Sequence, residues 1–140
     1  MIRPFEPSKI PLPPDFRKLP LDSSRPVDVE IGCGVGFHPL RYARLNPERQ
    51  LVAFERTREK FAKFAGRLEN HEEMPNLFAV HGDAAAWISH GFVPESVDRY
   101  FLFYPNPYPK ESQRNLRFHW MPFFSVLKTT LKRGGTLTMA

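Results

Sequence analysis

Short apolar runs separated by segments of helical length dominate residues 27–140. Each run has the length of a buried β-strand, and turn residues or polar residues bound it. The predicted strands are Val27–Ile31, Leu51–Phe54, Leu77–Val80, Val97–Tyr104 and Thr136–Ala140. Because strands and helices alternate, the pattern predicts an α/β fold of three layers, in which helices cover both faces of a mainly parallel sheet of about five strands.

The segments between these runs carry helix signals. The predicted helices are Phe37–Leu45, a helix from the N-cap Thr57 to about Asn70, Ala84–Ser89, and a helix over about Pro122–Lys132. The second helix has apolar residues at Phe61, Phe64 and Leu68, a spacing typical of a core-facing stripe. Gly134-Gly135 is predicted to stop the last helix.

Proline sets the first 26 residues apart from the rest, because 7 of the 15 prolines lie there. Such a segment forms neither a regular helix nor a central strand. We therefore expect two parts: an extended proline-rich arm over residues 1–26, which packs over the domain or is partly mobile, and a ligand-binding domain over residues 27–140.

A glycine-rich turn follows the first predicted strand, with Gly32, Gly34 and Gly36 at alternate positions. Residues without a Cβ let backbone N–H groups approach a ligand closely. Glu30 stands two residues before the first of these glycines, and its carboxylate repels a pyrophosphate but attracts an ammonium group. S-adenosylmethionine carries an ammonium group, a sulfonium and an adenosine. The turn therefore predicts a site for this cofactor.

Polar residues recur where the predicted strands end. Glu30, Glu55, Asp83 and Asn106 lie at or just past the ends of the first four strands, where parallel sheets bind ligands. Glu55 is placed to accept hydrogen bonds from both ribose hydroxyls. Asp83 is placed to accept the exocyclic amine of adenine, and it also fits the N-cap of the following helix. We interpret the four residues as one site.

Positive charge is concentrated near the C-terminus. Residues 1–107 hold 14 Lys and Arg against 14 Asp and Glu, so the net charge of +5 lies after Tyr108. A one-sided positive charge fits a phosphate-rich partner, and it also fits a solvated helix face. Charge alone does not separate these two interpretations.

The remaining composition excludes several classes of protein. The apolar runs fall short of the roughly 18 residues of a membrane helix, and the N-terminus lacks the apolar region of a secretory signal. The single cysteine, Cys33, cannot form an intramolecular disulfide, suits a reducing cytoplasm and is interpreted as a packing residue. The five histidines have no zinc-type spacing, so no metal site is expected.

Several of these segments resemble a known family. They are Glu30-Ile31-Gly32-Cys33-Gly34-Val35-Gly36, His81-Gly82-Asp83-Ala84, Phe103-Tyr104-Pro105-Asn106-Pro107-Tyr108-Pro109-Lys110 and Leu131-Lys132-Arg133-Gly134-Gly135. Over residues 27–140 the chain resembles the tRNA (guanine-N7)-methyltransferases, a branch of the class I S-adenosylmethionine-dependent enzymes. The resemblance implies a Rossmann-like class I methyltransferase fold that lacks its C-terminal strands.

The resemblance also implies roles for single residues. Glu30, Gly32, Gly34, Glu55 and Asp83 are expected to hold the cofactor, and Asn106 is expected at the reaction centre, where the family has an Asp. Lys110 is expected to contact the tRNA, as are Arg114 and Arg117, which stand near the family's basic run. The expected reaction is methylation of guanine N7, whose available lone pair needs no strong general base.

Two other functions fit the same residues. Asn106-Pro107-Tyr108 is similar to the motif of amino-group N-methyltransferases, in which an Asn accepts hydrogen bonds from a target NH₂. The loss of the family's Asp also fits a non-catalytic relative that binds the cofactor or RNA. In addition, the last strand, Thr136–Ala140, is expected at an open sheet edge, which predicts either aggregation or a homodimer with paired edge strands unless the arm or a helix covers it.

Overall fold

The computed structural model describes residues 9–71, 73–103 and 123–139. Nine elements follow one another in this part of the chain. They are β1 (Val27–Ile31), α1 (Phe37–Leu45), β2 (Gln50–Glu55), α2 (Arg58–Glu69), β3 (Leu77–His81), α3 (Ala84–Gly91), β4 (Val97–Leu102), α4 (Phe124–Thr130) and β5 (Leu131–Met139).

The strands form one parallel sheet in the order β3-β2-β1-β4-β5. From β1 the chain first builds outward through β2 and β3, and then crosses back to place β4 on the other side of β1. The reversal leaves a crevice between the carboxyl ends of β1 and β4, the position at which open α/β sheets bind ligands.

Helices cover both faces of the sheet. Leu40 and Ala43 of α1 and Phe64 of α2 are buried in one apolar cluster with Leu51, Ala53 and Phe101 of the strands. On the other face, Trp87 and Ile88 of α3 and Leu127 of α4 are buried with Val29, Phe54 and Tyr100. The strands are apolar on both faces because both faces lie under helices. The predicted fold class, a parallel sheet between two helical layers, is confirmed.

The described part of the proline-rich segment lies against the domain. The Phe16 ring packs on Trp87 with 5.1 Å between centroids. The Gln50 side-chain amide makes two hydrogen bonds to the backbone of this segment. Its Oε1 accepts from Asp22 N at 2.7 Å, and its Nε2 donates to Asp22 O at 2.8 Å. These contacts lie on the α3 face and at the amino ends of the strands, away from the glycine turn.

Local signals placed most element boundaries within a few residues. The second helix begins after Thr57 as predicted, but the Thr57 hydroxyl makes no capping hydrogen bond. The last helix lies within its predicted range, but the prediction of what stops it was wrong. Helix α4 ends at Thr130, and β5 begins at Leu131, which pairs with Val97.

Gly134-Gly135 lies inside β5 and does not stop a helix. The register between β4 and β5 shifts across this stretch, from Val97↔Leu131 to Arg99↔Thr136. Gly134 has φ +80°, and a Cβ on Gly135 would lie 2.7 Å from the carbonyl oxygen of Asp98. The glycines therefore accommodate a bulge, because a side chain would be strained at the first position and would clash at the second.

Candidate functional site

The glycine turn after β1 is anchored to the neighbouring strand. The backbone N–H groups of Gly32 and Cys33 both donate to the carbonyl of Phe54, at 2.9 and 3.0 Å. Gly34 has φ +62°, and a Cβ built on it meets no atom within 4 Å. The outer face of the turn is therefore open, which is the geometry that lets a ligand approach the backbone closely.

Gly36 serves packing in the same turn. A Cβ on this residue would lie 2.2 Å from Cδ1 of Phe64 in α2. The first turn of α1 therefore sits directly against α2, and the glycine makes that approach possible.

Glu55 accepts hydrogen bonds from three turns at the carboxyl ends of the strands. Its Oε1 accepts from Gly34 N at 2.9 Å, and its Oε2 accepts from Thr57 N at 2.7 Å. Its backbone carbonyl accepts from Gly82 N at 3.0 Å. A carboxylate has about four acceptor positions, and the described residues use two of them, so the buried side chain keeps capacity for ligand hydroxyls.

Asp83 caps α3. Its Oδ1 accepts from Ala85 N at 3.0 Å, and the residue is exposed at the end of β3. The N-cap interpretation is confirmed by this contact. The second carboxylate oxygen has no hydrogen bond to a described residue, so the predicted role toward an adenine amine stays compatible with the capping role.

These residues surround one cleft of about 290 Å³, which lies above the carboxyl ends of β1, β2 and β3. Gly32, Glu55, Thr57 and Asp83 line it together with the apolar side chains of Ile31 and Phe123. The cleft combines two acceptor carboxylates, an open backbone turn and apolar walls, and this combination fits a nucleoside-type ligand.

Glu30 lies outside the lining of this cleft. It is 2% exposed, and its carboxylate hydrogen-bonds to Nδ1 of His38 on the first turn of α1. The His38 ring packs edge-to-face on Phe101 and Phe103, with centroids 5.3 and 4.7 Å away. His38 therefore lies at the β1–β4 crevice, and a ligand ammonium at Glu30 would share the carboxylate with this imidazole.

Beneath this pair lies a buried polar cluster around Asp28, which is fully buried in β1. Arg49 donates to both of its carboxylate oxygens at 2.7 Å, and the Tyr42 hydroxyl donates to Oδ2 at 2.6 Å. Arg99 in turn donates to the Tyr42 hydroxyl at 2.9 Å. The hydrogen bonds with Asp28 raise the pKa of Arg49, and burial raises the pKa of Tyr42, to which the Asp28 carboxylate adds. The cluster fixes α1 relative to β1 and β4.

Sequence analysis missed His38 and the Asp28 cluster. Their partners come from separate strands, so no short motif contains them. One signal was available: a buried strand with acids at alternate positions, Asp28 and Glu30, requires partners on the covering helix, and α1 offers His38 and Tyr42.

Cys33 packs beneath the turn. It is 9% exposed and belongs to the α1–α2 apolar cluster. Burial raises the pKa of the Cys33 thiol, and the Glu30 and Glu55 carboxylates raise it further. Both effects disfavour the thiolate, which agrees with the interpretation of Cys33 as a packing residue. Across residues 9–71, 73–103 and 123–139 no group of side chains is arranged to hold a metal ion.

The other predicted site residues are Asn106, Lys110, Arg114 and Arg117. All four lie outside the described residues, and their roles stay predictions. In the part of the chain that is described, no helix is both long and apolar enough to cross a bilayer.

Comparison with known proteins places the chain. Residues 24–140 match the model of a family described as "Putative methyltransferase". A tRNA (guanine-N(7)-)-methyltransferase of Nitrosomonas europaea is 33% identical over 80% of this chain and 50% of its own length. A protein of the same name from Myxococcus xanthus is 32% identical over 91% of this chain and 61% of its own length. The chain thus spans about half the length of the curated relatives it matches.

Solved structures show the same fold at lower identity. The YcgJ protein of Bacillus subtilis superposes with a TM-score of 0.59 at 16% identity, covering 82% of this chain and 43% of that one. The precorrin-6y C5,15-methyltransferase of Geobacter metallireducens gives a TM-score of 0.61 at 17% identity, covering 82% and 53%. The matched family model and the curated relatives together show that the chain belongs to the family of the tRNA (guanine-N7)-methyltransferases.

Proposed function

We propose that the protein to which this chain belongs binds S-adenosylmethionine in the cleft over β1–β3 and methylates guanine N7 in cytoplasmic tRNA. The observation that carries the proposal is the meeting of the open glycine turn, Glu55 and Asp83 around one cleft at the carboxyl edge of the sheet. The names of the curated relatives support the choice of substrate.

The residues present fit the proposed cofactor. The open side of Gly32 and Gly34 offers backbone contact, and the unused acceptor positions of Glu55 suit the two ribose hydroxyls. The second oxygen of Asp83 suits the amine of adenine. When bound, this cofactor supplies a methyl group on a positively charged sulfur.

The task left to the chain is positioning. Guanine N7 has an available lone pair and carries no proton, so no residue has to act as a general base at the target atom. Holding the methyl donor and the target atom in line lowers a large part of the activation free energy of the transfer. The rigid turn, fixed by Glu55 and by the packing of Gly36 on Phe64, suits that task. Asn106 is our proposed residue at the reaction centre.

The proposal is tested by binding and by product analysis. Calorimetry should detect binding of S-adenosylhomocysteine, with NAD as the control ligand. Incubation with S-adenosylmethionine and unmodified tRNA should yield 7-methylguanosine in the nucleoside digest. Preference for NAD, or N6-methyladenosine as the product, would contradict the proposal. Cofactor binding without any transfer would instead support the non-catalytic alternative.

A further inference from the structure

A further pocket is lined by residues of α1 and of the C-terminal part of α2. Its volume is about 160 Å³, and its lining is strongly basic. We call it the arginine pocket; its residues are Phe37, Leu40, Arg41, Arg44, Arg67 and His71. Among the residues that the structure describes, no acidic side chain lines it.

One cation of the pocket, Arg67, stacks on an aromatic ring and has a donor that is unpaired among the described residues. The Arg67 guanidinium stacks over the Phe37 ring at 4.0 Å from its centroid. Its Nε is buried and has no hydrogen-bond partner within the described chain. A buried donor left unpaired is costly, so an acceptor brought to this position recovers that cost. Phe37 itself is 65% exposed, which is unusual for a large apolar ring.

The other two arginines are exposed and uncompensated. Arg41 and Arg44 lie three positions apart on α1, and α1 contains no acid. No ion pair among the described residues involves Arg41, Arg44 or Arg67. Three guanidinium groups around a small cavity attract an anion, and their planar forks match phosphate oxygens.

We propose that the arginine pocket binds the phosphodiester backbone of the RNA substrate. This inference rests on the proposed function, since it names a contact surface for the same tRNA. Exposed aromatic rings interleaved with arginines are typical of RNA surfaces, where a base stacks beside a neutralised phosphate. Phe37 directly follows the glycine turn in the sequence, so one end of this pocket adjoins the turn.

The inference is independent of the charge near the C-terminus. Residues 1–107 are neutral in sum, and among the described residues the pocket lining contains arginines but no Asp or Glu. The pocket therefore adds a second contact surface to the one proposed at Lys110, Arg114 and Arg117.

The test measures tRNA binding by fluorescence anisotropy over a range of salt concentrations. Arg41→Gln combined with Arg44→Gln should lower the slope of log affinity against log salt by about 2, because each lost phosphate contact removes about one unit. The matched control is Lys18→Gln combined with Lys128→Gln, two exposed cations on the α3–α4 side of the sheet. The control should keep the parent slope, and both variants should keep parent affinity for S-adenosylhomocysteine.

The outcomes separate two failures. A parent protein that does not bind tRNA removes the RNA partner and with it the proposed function. Parent binding that the Arg41 and Arg44 substitutions leave equal to the control overturns the arginine pocket alone. The same variants are also tested for binding to phosphatidylserine vesicles. If the Arg41 and Arg44 substitutions abolish vesicle binding by the parent protein but leave tRNA binding equal to the control, the pocket binds a membrane surface and the proposed RNA contact is wrong.

Discussion

Glu55 shows how one buried carboxylate can serve both structure and ligand. It accepts hydrogen bonds from Gly34 N and Thr57 N, so it shapes the turn before any ligand arrives. Charge-assisted hydrogen bonds of this kind contribute about 1.5–3 kcal/mol. Glu55→Ala should therefore weaken S-adenosylhomocysteine binding at least tenfold, as measured by calorimetry.

Glu55→Gln should also weaken binding, but less than Glu55→Ala, because Gln keeps one acceptor oxygen. The amide NH₂ would face one of the two backbone N–H groups and leave it unpaired. Glu59→Ala, an exposed change on α2, is the control and should bind like the parent. Parent affinity in Glu55→Ala would remove this residue from the proposed site.

The Tyr42 hydroxyl should matter more for stability than the hydroxyl of Tyr100, although Tyr100 is the more deeply buried residue. Tyr42→Phe leaves the Asp28 carboxylate and Arg99 each short of a partner, and we expect a loss of about 1–3 kcal/mol of unfolding free energy. Tyr100→Phe is the matched control. Its partner Thr130 still reaches the carbonyls of Val126 and Leu127, so the loss should be smaller. Urea unfolding of both variants tests the order, and equal losses would contradict it.

Asn106 separates the proposed reactions. If a carboxylate at this position assists transfer to N7, Asn106→Asp should raise the rate of 7-methylguanosine formation above the parent rate. If the asparagine instead accepts a target NH₂, the same change should lower transfer. The readout is the initial rate on unmodified tRNA, with S-adenosylhomocysteine affinity as the control for folding. A substitution that changes neither rate nor product would exclude Asn106 from the reaction centre.

Site residues could be predicted from the sequence where their position along the chain implied their place in the fold. Glu55 and Asp83 follow apolar runs, and parallel strands bring such ends together, so their meeting could be expected from the sequence. His38 and Tyr42 could not be assigned in the same way, because their partners Glu30 and Asp28 become neighbours only when α1 packs on the sheet.

At the scale of elements, the boundary between α4 and β5 shows where local signals fail. Gly134-Gly135 fits a helix stop as well as it fits a bulge. Hydrogen bonds with the segment just before β4 decide between them: Glu95 N and Ser96 N donate to the carbonyls of Thr129 and Thr130, and the helix ends there. These hydrogen bonds involve residues more than thirty positions upstream, so the local pattern does not contain them.

The bulge makes a matched pair of glycine substitutions informative. Gly135→Ala places a Cβ 2.7 Å from the carbonyl oxygen of Asp98 and should destabilise the fold by about 1–3 kcal/mol. Gly66→Ala in α2 meets nothing within 4 Å and should stabilise the fold by up to about 1 kcal/mol, through higher helix propensity. Thermal unfolding should move the two midpoints in opposite directions. A Gly135→Ala variant as stable as the parent would contradict the bulge.

At the scale of the whole molecule, β5 is the outermost strand of the sheet and pairs only with β4 among the described strands. We propose that two copies pair antiparallel through Thr136–Met139 across a two-fold axis. Light scattering should then show a dimer, and Thr136→Lys combined with Thr138→Lys should yield monomers by placing like charges together. A monodisperse monomer of the parent protein at high concentration would exclude this pairing.

The crossover that places β4 beside β1 also dictates how the chain can fold. The hydrogen bond from Val27 N to Asp98 Oδ2, at 2.9 Å, joins positions 71 residues apart. Closing so long a loop is entropically costly, and an all-parallel sheet has no hairpin from which to start. During synthesis, Gly32, Glu55 and Asp83 leave the ribosome well before β4, so β1 waits with one edge unpaired while the cleft residues are already present. Slow folding, with exposure of the central strand to aggregation in the meantime, is the kinetic consequence of placing a binding crevice at the middle of the sheet.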